Sequence, residues 1–251
     1  MQKLVQRIIA ERIPCYFISP HLDDAVLSAG GLIQELAGKT EVTIITVFTK
    51  AAGKDTLSAR QFLRQCHYHD AAKLFSDRRA EDKRIASKLG IEAIHLGYSD
   101  ALWRERPVLS AAAKALARLM PEFSKIYPTY RFHIARGRLS SSDDSLIETI
   151  AKDLRQRVPL EGESEIFCPQ AIGNHIDHIV VRKACEQAFA SMIAWSDFPY
   201  NVRLRNMQPE AWRWGRNIAK KKELIHHYRT QAAALFAEGE IPLIPEEYKP
   251  I

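Results

Sequence analysis

The chain has 251 residues, enough to bury one large core. With 46% hydrophobic and 26% charged residues it has the make-up of a folded globular protein, which excludes a disordered, collagen-like or coiled-coil chain. A formal net charge of +6 leaves room for an anionic partner. The Lys and Arg residues are nevertheless scattered, as in Arg78-Arg79, Arg136-Gly137-Arg138 and Lys220-Lys221-Lys222, without the base-stacking aromatics of a nucleic-acid module.

The N-terminus reads as an amphipathic helix, because Glu11 and Arg12 interrupt its apolar run and no small-residue cleavage site follows. Residues 14–19 then predict a strand, 20–24 a polar loop, and 25–37 a helix that stops at Gly38. A second strand fits 41–48, and 49–60 reads as an irregular loop. Helix 71–89 stops at Gly90 and leads into strand 91–96 and a loop at 97–100. Two more helices fit 108–120 and 145–157, the second introduced by the capping run at 141–144. Strand 164–168, loop 169–177 and helix 179–190 follow. Beyond Ser191 the order weakens into short aromatic segments and a helix over about residues 218–236. No run approaches the roughly 20 apolar residues of a membrane span.

This repeated strand, loop, helix order predicts an α/β, Rossmann-like fold: a mostly parallel sheet with helices on both faces. A single domain over 1–251 is expected, with an α/β core at 13–200 and a C-terminal cap and helix at 201–251. Cys15, Cys66, Cys168 and Cys185 form no C-x-x-C pair, which points to reduced thiols and a cytoplasmic home.

Two stretches carry chemistry. His21-Leu-Asp23-Asp24 places an imidazole and two carboxylates in the loop after the first strand, where the carboxylates repel one another unless a cation or strong hydrogen bonds compensate. A helix N-cap is the competing explanation for Asp23 or Asp24. His175-Ile-Asp177-His178 repeats the pattern after a later strand, with two histidines three apart at a helix start. Both loops fall at the sheet edge where ligands bind in such folds. Two histidines and one carboxylate leave open positions on a divalent ion, as in a catalytic zinc site.

Pro20-His-Leu-Asp-Asp24 together with His175-Ile-Asp-His178 resembles the PIG-L/LmbE-like family of zinc-dependent de-N-acetylases over roughly residues 13–200. The resemblance implies Zn2+ held by His21, Asp24 and His178. It further implies Asp23 as general base, His175 assisting the oxyanion or the leaving amine, and Asp177 orienting its neighbours. Arg79 and Asp100 resemble positions that contact the sugar in related enzymes. The implied activity is hydrolysis of an N-acetyl group on a glucosamine-like sugar or glycoconjugate, releasing acetate and a free amine. Ala25 stands where many members have Glu, and Gly173 where some glucosamine-thiol relatives have a mobile Tyr, which bears on the identity of the substrate.

Two alternatives to the hydrolase reading stay open at this point. The same two-His-one-carboxylate set forms the facial triad of Fe(II) oxygenases, so Fe2+ or another divalent ion also fits. A non-catalytic glycan-binding module is the third reading, against which Asp23 counts, since binding alone does not need it. The assembly state, including a homo-oligomer, is left open. The run Cys66-His67-Tyr68-His69-Asp70 reads as a surface feature, and one of His226 and His227 is expected against the core.

Overall fold

The computed structural model describes residues 1–159, 162–203, 210–236 and 240–251. In chain order the principal elements are α1 (Gln2–Glu11), β1 (Cys15–Ser19), α2 (Asp24–Leu36), β2 (Val42–Lys50), α3 (Leu57–Gln65), α4 (Ala71–Leu89) and β3 (Glu92–Ser99). There follow α5 (Ala111–Leu119), α6 (Asp144–Arg157), β4 (Glu165–Pro169), α7 (Ile176–Ala188) and β5 (Ile193–Trp195). The tail adds α8 (Tyr200–Arg203), β6 (Trp212–Trp214), α9 (Ile218–His226), α10 (Arg229–Leu235) and β7 (Glu246–Pro250).

Among the described residues, seven strands pair in the order β3-β2-β1-β4-β5-β7-β6. The first five are parallel, while β7 pairs antiparallel with both β5 and β6. The sheet is thus Rossmann-like and mostly parallel, as the alternating pattern predicts. Because β2 and β3 build outward on one side of β1, and β4 and β5 on the other, the direction of winding reverses between β1 and β4. A crevice opens at the carboxyl ends of two such strands.

Side chains on β1 alternate between two cores, with Ile18 packed on the α6 and α7 side and Cys15 and Phe17 on the α1 and α2 side. Phe17 stacks on Phe167 of β4 with ring centroids 4.5 Å apart. Burial of such a side chain contributes about 1.5–3 kcal/mol, which holds together the two strands that flank the crevice.

The structure departs from the sequence reading in several places. The loop after β2 is shorter than residues 49–60, because Thr56 accepts a hydrogen bond from the Ala59 N–H and starts α3. The helix expected over 218–236 is two helices, broken at His227 and Tyr228. His226 is exposed and His227 half-buried against Lys88; it is Ile225 and Tyr228 that enter the core. The tail also extends the sheet. Glu246 of β7 accepts hydrogen bonds from the Gly31 and Leu32 N–H groups of α2 at 2.7 and 3.1 Å and pairs with the buried Lys221 at 3.2 Å. Gly31 permits this docking, since a Cβ there would lie 2.7 Å from the Arg216 carbonyl oxygen.

Candidate active site

Each signature stretch occupies the turn after a strand beside the crevice. The 19–24 turn follows β1 and opens α2; the 170–178 turn follows β4 and opens α7. Their side chains meet. His21 Nδ1 lies 3.0 Å from Asp24 Oδ2, and His178 Nε2 lies 3.3 Å from the same oxygen. One donor atom from each of His21, Asp24 and His178 falls within 4.8 Å of the others, a spacing that can hold a divalent ion. His21, His175 and Asp177 form an overlapping second group. The aromatic edges agree: the His175 ring lies 5.0 Å from His21 and 5.3 Å from His178, centroid to centroid.

The capping explanation of the first stretch does not describe Asp23. It occupies the N-cap position of α2, yet its side chain makes no cap hydrogen bond. Its carboxylate instead faces Gln231 of α10, whose amide, with the nitrogen turned inward, donates to both oxygens at 3.1 and 3.2 Å. Burial, reinforced by the charge of Asp24, pushes the Asp23 carboxyl up to about 7. Asp24 behaves oppositely. Burial would raise it, but His178 and His21 hold it well below the usual carboxylate range.

The histidines divide in the same way. Burial acts to lower both His21 and His178, and is outweighed by Asp177 and Asp24 at His21 and by Asp24 and Asp197 at His178, which is carried up to about 10. At His175 burial and the neighbouring His21 outweigh the upward action of the Asp177 and Asp24 charges and keep the ring well below the ordinary imidazole value, hence neutral. Its Nδ1 accepts from the Asp177 N–H at 3.2 Å, which assigns its single proton to Nε2.

Supporting residues fix this arrangement. Asp177, fully buried, accepts from His21 Nε2 at 3.0 Å and from the Ala101 N–H at 2.9 Å, and its other oxygen is paired with Arg104. Arg104 is in turn bonded to Asp143 at 3.1 Å and lies over the Phe48 ring. Asp197, two residues beyond β5, accepts from His178 Nδ1 at 2.7 Å and from the Ile172 N–H at 2.8 Å. A histidine held by a carboxylate on its far nitrogen has the arrangement usual for metal-ligating imidazoles. Tyr200 of α8 sets its ring edge-on to His178 at 5.9 Å. Gly173 leaves room for it: a Cβ at that position, where φ is +94°, would approach the Tyr200 ring to 2.9 Å.

Of the two sugar-contact candidates, Asp100 is inside the site, 3.6 Å from His21 Nε2. Arg79 donates to the Thr49 carbonyl at the end of β2, at 2.7 Å. Its neighbour Arg78 is the buried guanidinium whose charge acts on both Asp23 and Asp100, and its Nε has no hydrogen-bond partner among the described residues. The sequence reading missed Arg78, Arg104, Asp197, Tyr200 and Gln231. An acid two residues after a short apolar run is a signal that could have found Asp197; nothing in the local pattern marks Gln231.

Fold and site together define a Rossmann-like α/β protein with a buried imidazole and carboxylate cluster, able to hold a divalent metal, where the sheet reverses its winding. The chain belongs to the PIG-L family, described as GlcNAc-PI de-N-acetylase, whose profile matches residues 16–189. It is 28% identical over 192 residues to 2'-N-acetylparomamine deacetylase of Streptomyces fradiae, covering 73% of this chain and 56% of that protein. The chain therefore spans little more than half the length of that relative. With 2'-N-acetylparomamine deacetylase of Niallia circulans it shares 25% identity over 246 residues, covering 88% and 82%. The crystal structure of the zinc-inhibited form of teicoplanin deacetylase Orf2 has the same fold, with a TM-score of 0.76 at 22% identity over 94% of this chain and 97% of that one. The oxygenase and binding-module readings find no support in these matches. Among the described residues no helix is long and apolar enough to cross a membrane.

Proposed function

We propose that this protein is a zinc-dependent hydrolase that removes the acetyl group from an N-acetylated amino sugar, releasing acetate and a free amine. The observation that carries the proposal is the convergence of His21, Asp24 and His178 within 4.8 Å beside the uncapped carboxylate of Asp23. The donor set, two imidazoles and one carboxylate with Asp197 behind His178, fits an open zinc site. A divalent ion held there supplies a Lewis acid that polarises the acetamide carbonyl and acidifies water.

The chain's own groups do the rest. Asp23, raised toward neutrality by burial and by Asp24, takes a proton from the attacking water while Gln231 holds its carboxylate in place. As negative charge develops on the carbonyl oxygen, neutral His175 donates a hydrogen bond from Nε2, a preorganised interaction that strengthens only on the way to the tetrahedral state. The proton carried by Asp23 then passes to the sugar nitrogen, and the carbon–nitrogen bond breaks. Asp177 keeps His21 in position through its Nε2. Asp100 and Arg78 offer an acceptor and a donor for sugar hydroxyls, with Arg79 at the rim of the same strand ends. The four buried free thiols suit a reducing, cytoplasmic compartment.

The test is acetate release from a panel of N-acetylglucosamine conjugates, with metal-stripped protein as control. Acetate and free amine in equal amounts, restored by zinc, support the proposal. Oxygen consumption without acetate, or binding without turnover across the panel, would overturn it.

A further inference from the structure

Charge along the chain is unevenly distributed. Of 36 Lys and Arg and 30 Asp and Glu, residues 104–138 contain eight and two, leaving 28 of each sign elsewhere, so this one segment carries the whole surplus of +6. Arg104 and Lys125 are buried and paired. The other six, Arg106, Lys114, Arg118, Arg131, Arg136 and Arg138, are exposed, and none lies within 4 Å of a carboxylate among the described residues. The same segment exposes large apolar side chains: Val108 at 85%, Leu119 at 84% and Phe132 at 62%, together with Leu116, Met120 and Phe123.

The backbone explains why these groups project. Residues 104–126 leave the body and return, clamped at the base where Ile126 N–H bonds the Arg104 carbonyl at 3.0 Å and Arg106 N–H bonds the Ser124 carbonyl at 2.8 Å. Between the clamps stands α5. Among its described side chains Ala113 and Ala117 are half-buried, and the helix packs on the returning turn at Pro121–Ser124. Leu116 and Leu119, three apart, share an outward side; Lys114 and Arg118, four apart, share another. The returning stretch reaches the active site, where the Tyr130 ring lies 5.8 Å from His175.

We propose that residues 106–138 form a docking surface for an anionic lipid bilayer, which holds the protein with the Tyr130 side of its site toward the membrane. An exposed helix with apolar and basic sides is the usual element that lies in a bilayer interface, its apolar groups in the acyl boundary and its cations on acidic headgroups. Charge complementarity selects this occupant. A second copy meeting the same face about a twofold axis would oppose six cations with six cations. A nucleic acid would leave the aliphatic Val108, Leu116 and Leu119 without bases to stack on.

The test is flotation of the full, metal-loaded chain with vesicles of phosphatidylcholine alone and of phosphatidylcholine with phosphatidylglycerol, at low and high salt. The expected result is binding to the anionic vesicles, about tenfold or more above the neutral ones and weakened by salt. The double variants Leu116→Ser with Leu119→Ser and Lys114→Glu with Arg118→Glu should each cut that binding about tenfold or more, with circular dichroism and thermal midpoint unchanged. Vesicle binding that is absent, or equal in both double variants and the parent, overturns the proposal. So does a salt-sensitive preference for single-stranded nucleic acid over vesicles, or a dimer in solution that Leu119→Ser dissolves. No substrate enters this assay, so it stands or falls apart from the acetyl-hydrolase reading.

Discussion

Asp197→Asn is the sharpest probe of how the fold sustains the site. In the parent, one buried carboxylate accepts two hydrogen bonds, from His178 Nδ1 at 2.7 Å and from the Ile172 N–H at 2.8 Å, with both His178 and Asp197 nearly inaccessible. Asparagine preserves the volume but offers a single acceptor oxygen. Either His178 or Ile172 must then face an amide N–H, one donor against another, and the surviving bond loses its charge assistance. Charge-assisted bonds contribute about 1.5–3 kcal/mol, roughly twice a neutral one. Removing the carboxylate behind a metal-bound imidazole typically weakens metal binding about 10- to 100-fold, which corresponds to about 1.4–2.7 kcal/mol. The predicted outcome is a zinc affinity lowered by that factor in chelator competition, with kcat/KM restored toward the parent value when zinc is raised to saturation. A zinc affinity within about twofold of the parent, alongside a lower thermal midpoint of the metal-free protein, would refute the reasoning and make Asp197 a packing residue only.

Asp23→Asn should lower turnover by about 10²-fold or more while zinc content stays at the parent level; equal loss of both would make Asp23 a ligand. In the metal-free protein burial opposes the charge on His178, but Asp24 and Asp197 raise it to about 10, so the ring is protonated below that value and metal must displace the proton. Zinc affinity therefore rises with pH between about 6 and 8, and calorimetry in buffers of different ionisation enthalpy should count at least one proton released; none would contradict this. Arg104→Met leaves Asp143 and Asp177 buried without their shared cation and should destabilise the fold by about 3–5 kcal/mol, read by urea denaturation; a loss below about 1 kcal/mol would mean the network is dispensable. Gly173→Ala, at φ +94° and with its Cβ 2.9 Å from the Tyr200 ring, should destabilise the fold by about 1–3 kcal/mol, read by urea denaturation; a loss below about 0.5 kcal/mol would show that the turn absorbs the change.

Local pattern carries the parallel half of this molecule. A run such as residues 14–19, buried on both faces, announces a central strand, and a histidine and two carboxylates directly after it announce a site, because both signals lie within a few consecutive residues. What escaped the sequence depends on distant pairing. The antiparallel edge strands β6 and β7 are three and five residues long and are set by docking, through Glu246 on α2, not by alternation of their own. The break between α9 and α10 falls where Tyr228 turns inward to donate to Asp82, a contact 146 residues away in sequence. Gln231 reaches Asp23 for the same reason, by way of a tail whose course no nearby residue specifies. Arg78 and Arg79 illustrate the limit for single side chains. Adjacent residues on one helix differ by a rotation of the axis, so the guanidinium buried near Asp23 and the one holding Thr49 are neighbours in sequence with separate surroundings.

Anomalous diffraction at the zinc edge from crystals grown with zinc tests the central claim most directly. The account predicts one strong peak between His21, Asp24 and His178, about 2.0–2.2 Å from a nitrogen of each imidazole and from a carboxylate oxygen. A peak that lies elsewhere, or one that persists unchanged after His178→Ala, would contradict it.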